Sequence, residues 1–363
     1  MKKILCLIDT LGVGGAERQM AGLAFLLKQK GYRVDLVCYY EHDYDAELER
    51  RYGMRSTILK VGNSPFSKLM AVRQYIKQNN GFDCVISYKA PANQIGCLLK
   101  LLGMKFRLIV SERSTTQYFG RKEKIRFQLY RSADYVVPNS HTQRDFIKTH
   151  CSWLKDKTIT ITNFTDTNQF APKQRLPNDT IKILTAARIT KAKNIPNYLK
   201  AIALLHKRGM ANVHFDWYGD VQESEKEYSM MVSQEVKSLQ IEDVITFHPA
   251  TYQIQENYQA CDIFCLPSTY EGFPNVICEA MSCAKPIVCS NVCDNPNIVS
   301  DGVNALLFSP SNVEDMADKL QSLIMMSEEK RLEWGRRSRE MAINMFSHEA
   351  FVDKYIKLIE QNE

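Results

Sequence analysis

Two glutamates eight positions apart, Glu271 and Glu279, lie in the string Glu271-Gly272-Phe273-Pro274-Asn275-Val276-Ile277-Cys278-Glu279. Proline suits the first turn of a helix, so a helix is expected to begin at Pro274 or Asn275. That start leaves Glu271 in the preceding loop and puts Glu279 about one turn in. Carboxylates accept hydrogen bonds from sugar hydroxyls, while the free N–H groups and positive dipole end of a helix start suit phosphate. The arrangement has the chemistry of a nucleotide-sugar site. Taken alone, the two glutamates also fit an ordinary solvated helix, so the surrounding elements matter.

Apolar runs at 262–268 and 286–290 read as buried strands on either side of this loop and helix. The earlier chain follows the same rhythm. Strand candidates at 3–8, 33–40, 84–88, 107–111, 135–140 and 158–163 alternate with helix-length stretches such as 91–102 and 122–132. The helix after the first strand carries Met20, Leu23, Ala24 and Leu27 on one face. Residues 172–180, polar and with two prolines, read as a linker. A second series follows, with strands at 181–188, 213–219 and 244–249 and helices near 197–207 and 226–238. The last helix shows Phe351, Tyr355, Leu358 and Ile359 on one face.

Strands alternating with helices argue parallel sheets wound on both faces. At 363 residues the chain exceeds what one core normally serves. The expected fold class is α/β: two doubly wound Rossmann-like domains facing a central cleft, with ligand at the carboxyl ends of the strands. The expected divisions are 1–170, 171–340 and a final piece from 341 to 363.

Hydrophobic content of 45% and charged content of 24% are ordinary for a soluble globular protein. No apolar run approaches the roughly 18 residues needed to span a bilayer. The start, Met1-Lys2-Lys3-Ile4-Leu5-Cys6-Leu7-Ile8-Asp9, is too short in its apolar part for a signal peptide and reads as a first strand. The eleven cysteines are scattered and mostly within apolar runs, which suggests buried free thiols in a reducing, cytoplasmic setting. Their spacing offers no zinc set, and no metal is expected. Likewise Asp43-Tyr44-Asp45 sits in a charged loop of the wrong architecture for a metal-binding D-x-D. His42, His141 and His248 show no pairing at ligand spacing and read as surface or turn residues.

Net charge is uneven: residues 1–170 hold 27 Lys and Arg against 15 Asp and Glu, the remainder 20 against 26. A basic first half suggests an anionic partner, either membrane headgroups or a phosphate-bearing substrate. The segment Tyr118-Phe119-Gly120-Arg121-Lys122-Glu123-Lys124-Ile125-Arg126-Phe127, reaching Tyr130-Arg131, mixes aromatics with basic residues. It fits peripheral contact with an anionic bilayer, such as the inner face of the plasma membrane, and it fits a solvated basic helix. No nucleic-acid partner is indicated.

Gly12-Val13-Gly14 after a strand invites a dinucleotide reading, but the third glycine of G-x-G-x-x-G would fall at Glu17, too bulky for the helix–strand contact. The string from Glu271 to Glu279, with Ser-Thr-Tyr before it and Ala-Met-Ser-Cys-Ala-Lys-Pro-Ile-Val after, resembles the signature of glycosyltransferase family 4. These are retaining enzymes of the two-domain GT-B fold. Gly14-Gly15-Ala16-Glu17-Arg18 resembles the family's N-terminal loop, which approaches donor phosphate and acceptor. Ala187-Arg188-Ile189-Thr190-Lys191-Ala192-Lys193 resembles its Gly-Arg-…-Lys element, with alanine where glycine is usual.

The resemblance implies that residues 1–170 form an acceptor-side domain and residues 171–340 a donor-binding domain. It also implies that Glu279 binds ribose hydroxyls and that Glu271 sits against the transferred sugar. The backbone of Gly272, Phe273, Pro274 and Asn275 would line sugar and diphosphate, and Gly219 would form a second glycine turn beside the nucleotide. Arg188 and Lys193 would stabilise the departing diphosphate without a metal. Asn163-Phe164-Thr165-Asp166 with Phe170 resembles the family's bridge between domains, a structural role, and the last helix would cross back to the first domain. Some members carry an active-site histidine where this chain runs Val110-Ser111-Glu112-Arg113, so Glu112 and Arg113 are the candidates there. Asn297 stands where a glutamate is common.

The implied function is transfer of a sugar, with retention, from a UDP-linked donor to a glycan or lipid-linked acceptor in cell-surface polysaccharide biosynthesis. An epimerase or phosphorylase of the same shape, or a non-catalytic nucleotide-sugar scaffold, is the alternative.

Overall fold

The computed structural model describes every residue except 13, 42–44, 63, 174–178 and 362–363. His42, the Asp43-Tyr44 of the discounted metal motif and the middle of the expected linker therefore lie outside the described residues. The chain forms two units, Met1–Phe164 with Glu349–Glu363, and Thr165–His348. The sequence places the corresponding divisions at 170/171 and 340/341.

The first unit contains β1 (Lys3–Leu7), β2 (Arg33–Cys38), β3 (Thr57–Ile58), β4 (Cys84–Tyr88), β5 (Arg107–Glu112) and β6 (Tyr135–Pro138). They form one parallel sheet in the order β3-β2-β1-β4-β5-β6. Its helices are α1 (Gly15–Gln29), α2 (Asp45–Tyr52), α3 (Pro65–Gln78), α4 (Ala90–Leu101), α5 (Arg121–Leu129) and α6 (His141–His150). The second unit contains β7 (Ile181–Ala186), β8 (Val213–Tyr218), β9 (Ile245–His248), β10 (Ile263–Leu266), β11 (Ile287–Ser290) and β12 (Ala305–Phe308), also parallel, in the order β12-β11-β10-β7-β8-β9. Its helices are α7 (Ile195–Lys207), α8 (Lys226–Ser238), α9 (Ile254–Ala260), α10 (Asn275–Ser282), α11 (Asn295–Ile298), α12 (Val313–Ile324) and α13 (Glu328–Phe346). The last helix, α14 (His348–Glu360), lies almost wholly in the first unit.

Numbered within its own unit, each sheet has the order 3-2-1-4-5-6. The winding therefore reverses between the first and fourth strands, where open α/β sheets bind ligands at the carboxyl end. That point lies between β1 and β4 in one unit and between β7 and β10 in the other.

The central strands are buried along their length, as near-continuous apolar runs demand. Met20, Leu23, Ala24 and Leu27 of α1 are fully buried, and the same core takes Phe351, Val352, Tyr355, Leu358 and Ile359 of α14. Tyr355 and Tyr88 share a hydroxyl–hydroxyl hydrogen bond of 2.9 Å, and Arg107 donates to the carbonyls of Leu358 and Ile359 at 3.0 and 2.8 Å. These bonds tie α14 to β4 and β5.

One expected strand is absent. Residues 158–163 form only a bridge from Thr158 to Val136, then continue with Ile161 N–H donating to Pro138 O at 3.1 Å. Pro138 has no N–H to return, so the ladder stops at the end of β6. Two short strands went unread: β3 has two residues, too few to show a period, and β12 has four. Among the described residues, no helix is long and apolar enough to cross a membrane.

Candidate active site

In the second unit the loop after β7 is fixed from two sides. Gly219 follows β8, and a Cβ there would lie 1.9 Å from the carbonyl oxygen of Ala187. Only glycine permits this approach, and Trp217 Nε1 donates to the same carbonyl at 2.7 Å. The glycine thus serves backbone packing that sets the course of Ala187 and Arg188. Further on, Asn194 adopts the left-handed conformation (φ 57°), and its amide donates to Pro310 O at 2.7 Å. Thr269 N–H, in the loop after β10, donates to Ala192 O at 2.9 Å. The two switch-point loops are laced together.

This lacing brings Lys193 to Glu271: Lys193 Nζ lies 2.6 Å from Oε1 of Glu271, which also accepts from Ser268 Oγ at 2.5 Å. Glu271 is only 9% exposed, so its charge is held by an ammonium and a hydroxyl. Its own N–H faces Cys293 Sγ at 3.4 Å. As expected, α10 begins at Asn275 with Pro274 as its cap residue. Asn275 N–H donates to Phe273 O and Ile277 N–H to Pro274 O, both at 3.0 Å. Gly272 lies in the same loop, and the Phe273 ring meets Phe346 edge-on at 6.1 Å, anchoring that loop to α13. Glu279 Oε2 accepts from Tyr258 Oη at 3.0 Å. Burial and the neighbouring Glu279 push the Tyr258 hydroxyl well above its usual pKa, so it remains a donor. Arg188 is exposed and forms no ion pair among the described residues.

The first unit carries a parallel device at its own switch point. Lys89 follows β4 and contacts Asp9, after β1, at 3.1 Å, and Glu17 in the first turn of α1. Burial works to lower the Lys89 pKa, but hydrogen bonds to Glu17 and Asp9 outweigh it and hold the ammonium above the ordinary lysine value. Lys89 has φ 71° and ψ 152°, a region normally confined to glycine. The Glu17 carboxylate folds over Gly14, where a Cβ would come within 2.2 Å of Oε2. Gly14 caps α1 and Gly15 is its first residue.

Glu112 and Arg113 occupy internal networks. Glu112 is 2% exposed and accepts from Tyr130 Oη at 2.5 Å and Asn93 Nδ2 at 3.4 Å, with Arg126 at 3.6 Å from its other oxygen. The Arg113 guanidinium lies 4.3 Å from the centre of the Tyr88 ring and donates to Asn163 Oδ1 at 2.5 Å. In the segment that resembles the family's bridge, Gln19 hydrogen-bonds both N–H and C=O of Phe164, and Asp166 accepts from the N–H groups of Asn168 and Gln169. Asn297 is exposed on α11.

His248 departs from its expected place on the surface. It ends β9, half-buried, stacks on Tyr218 at 4.3 Å and contacts Asp216 Oδ1 at 2.8 Å, with His214 3.7 Å from the same oxygen. Strand pairing sets these side chains side by side, which linear spacing does not reveal. Among the described residues no group of three His, Cys, Asp or Glu side chains could hold a metal. The eleven cysteines are free, ten of them buried, and burial pushes Cys84 up to about 12 and Cys97 to about 11.

Sequence reasoning missed Ser268, Tyr258, Lys89 and Asp9. Ser268 and Asp9 were visible as polar residues at strand ends. Tyr258 and Lys89 gave no sign, since the strand order alone brings them to their partners.

Comparison with known proteins extends these observations. A family model described as Glycosyl transferases group 1 matches residues 166–341, and one described as Glycosyltransferase Family 4 matches residues 13–169. An uncharacterized glycosyltransferase of Haemophilus influenzae is 26% identical over 349 residues, covering 92% of this chain and 95% of its own. A Campylobacter jejuni protein, an N-acetylgalactosamine-N,N'-diacetylbacillosaminyl-diphospho-undecaprenol 4-alpha-N-acetylgalactosaminyltransferase, is 24% identical over 343 residues, covering 89% of this chain and 90% of its own. Among solved structures, a glycosyltransferase from Rickettsia africae superposes with a TM-score of 0.87 at 18% identity, covering all of this chain and 99% of that one. Anabaena HepE in complex with UDP does so with 0.84 at 19%, covering 98% and 99%. These structures share the GT-B fold with this chain.

Proposed function

The chain belongs to glycosyltransferase family 4, and on that premise we propose that it transfers a sugar from a UDP-linked donor to a lipid-linked saccharide with retention of configuration. The observation that carries this reading is the Lys193–Glu271–Ser268 cluster at the switch point of the second sheet, with Glu279 one turn into the adjoining helix. In transfer, the bond from the anomeric carbon to the diphosphate oxygen breaks and a bond to the acceptor hydroxyl oxygen forms on the same face. The hydroxyl proton passes to the departing phosphate oxygen.

Arg188, with no carboxylate paired to it among the described residues, is a cation available to that departing charge. Lys193 holds Glu271 against the transferred sugar. Glu279, oriented by Tyr258, accepts from the ribose hydroxyls. With positive charge supplied by side chains, the transfer is metal-independent. The names of solved relatives with UDP or UDP-glucose support the donor, and the diphospho-undecaprenol acceptors named for the Campylobacter relatives support the acceptor.

A thermal-shift screen of nucleotides tests the donor. UDP or its cognate sugar should stabilise the protein by about 2.7 kcal/mol at a hundredfold excess over Kd, with EDTA making no difference. No shift with any uridine nucleotide would overturn the UDP reading. Proton NMR of the first-formed product then reads the anomeric configuration.

Helix α5 supports peripheral contact with an anionic bilayer, for cell-surface polysaccharide synthesis at the inner face of the plasma membrane. Tyr118 and Ile125 are 77% and 70% exposed, beside exposed Arg121, Lys122 and Lys124. Bulky apolar groups ringed by cations are the composition that interfacial binding requires.

A further inference from the structure

Cys293 is set apart from the other cysteines. Those ten are buried, whereas its side chain is partly exposed in the turn between β11 and α11, at the carboxyl end of the second sheet. Its backbone has φ 48°, in the left-handed region that favours glycine. The surrounding turn imposes that conformation. Asn291 N–H donates to Phe308 O at 2.7 Å, and Val292 N–H to Ser290 O and Asn295 N–H to Val292 O, both at 3.0 Å. Asn295 Nδ2 adds a bond to Ser290 O at 2.9 Å, and Asp294 and Asn295 are fully buried.

Glycine would meet this backbone without strain. A side chain carried on a strained residue beside a functional loop points to work done by that side chain. Here the sulfur accepts from the Glu271 N–H at 3.4 Å. Burial raises the Cys293 pKa, with the hydrogen bond from Glu271 working against it, so the sulfur stays a protonated thiol. It serves as a neutral acceptor and not as a nucleophile.

Glu271 is thereby held from three loops. Lys193, after β7, and Ser268, after β10, hold its carboxylate; Cys293, after β11, holds its backbone. The two carboxylate contacts act through rotatable side-chain bonds, so they leave the main chain free to turn. The sulfur contact acts on the main chain itself.

We propose that Cys293 is a positioning residue for Glu271: its sulfur fixes the Glu271 backbone and so sets where the carboxylate meets the transferred sugar. The meeting with a sugar rests on the glycosyltransferase reading; the fixing of the loop does not.

The test measures amide hydrogen exchange at Glu271 in the full chain, by mass spectrometry with electron-transfer fragmentation. Cys293→Gly and Cys293→Ala both remove the sulfur, and only glycine relieves φ. Exchange at Glu271 should rise at least about tenfold in both, while the N–H groups of Phe264 and Ile287, bonded within the sheet, exchange as in the wild type. Cys293→Ser keeps an acceptor and should restore most of the protection. The glycine variant should melt about 2–4 °C above the alanine variant, so that loosening at Glu271 follows the acceptor and not stability. In UDP release from UDP-glucose and UDP-N-acetylgalactosamine, kcat should fall about tenfold in the glycine and alanine variants and recover in Cys293→Ser, with Kd for UDP unchanged. Exchange at Glu271 that is unchanged in both Cys293→Gly and Cys293→Ala, or that tracks melting temperature across the three variants, would overturn the positioning. Faster exchange with undiminished kcat would overturn its bearing on transfer. A wild-type protein that binds no UDP would overturn the donor reading alone, and the exchange rates would still decide this one.

Discussion

Arg188 and Lys193 bear the same charge and sit five positions apart, yet the fold gives them different work. Lys193 is spent on Glu271, while Arg188 remains unpaired among the described residues and available to a ligand. Replacing Arg188 by alanine should therefore lower kcat by roughly 10²–10³, the usual cost of one preorganised anion donor, with an unchanged melting temperature. Near-normal turnover would remove Arg188 from the mechanism. Lys89 offers a conformational test. Glycine reaches φ 71°, ψ 152° freely and alanine does not, while both lose the ion pairs to Asp9 and Glu17. Lys89→Gly should thus be more stable than Lys89→Ala by about 1–3 kcal/mol in urea unfolding, an ordering that the ion-pair loss alone would not produce. Glu271 and Glu279 were legible in the sequence because their loop and helix are contiguous. Ser268, Tyr258 and Lys89 were not, because their partners arrive through strand pairing and crossover. The partners of Glu112 were equally hidden: it closes a strand in the sequence, and only the fold brings Tyr130 and Asn93 onto it.

At the scale of elements, two close backbone crossings hold loops of the second unit. Gly219 lets the chain after β8 pass Ala187, and Gly335 lets α13 pass Ala284, where a Cβ would come within 2.1 Å of the carbonyl oxygen. Neither neighbour is a flexible side-chain end, so added volume must move backbone. Gly219→Ala should cost about 1–3 kcal/mol in the second unit and lower turnover through displaced Arg188, read by chemical denaturation and initial rates. Wild-type stability in that variant would show that the crossing relaxes at no cost. Periodicity located these strands and helices because buried parallel strands read as apolar runs, and it failed where periodicity has least to work on. Two-residue β3 is too short for a pattern, and 158–163 has strand composition but meets a proline that cannot return a hydrogen bond.

For the whole molecule, part of the uneven charge lies on α5, whose exposed Arg121, Lys122 and Lys124 follow exposed Tyr118 in the chain and flank exposed Ile125. The protein should float with anionic liposomes at low salt and release as salt rises. Ile125→Ser together with Tyr118→Ser should weaken flotation without altering UDP binding. Absence of salt-sensitive flotation would leave α5 as a solvated basic helix.

The placement of α14 bears on biosynthesis. Residues 165–348 are consecutive, so the second unit has all its strands as soon as its last helix leaves the ribosome. The half begun first must wait, since Phe351, Val352, Tyr355, Leu358 and Ile359 fill a core laid down around Ile4 and Cys6. Each such side chain contributes about 1.5–3 kcal/mol when fully buried. The amino-terminal half therefore matures last, and a nascent chain cut short before α14 exposes its oldest apolar surface to proteases and chaperones.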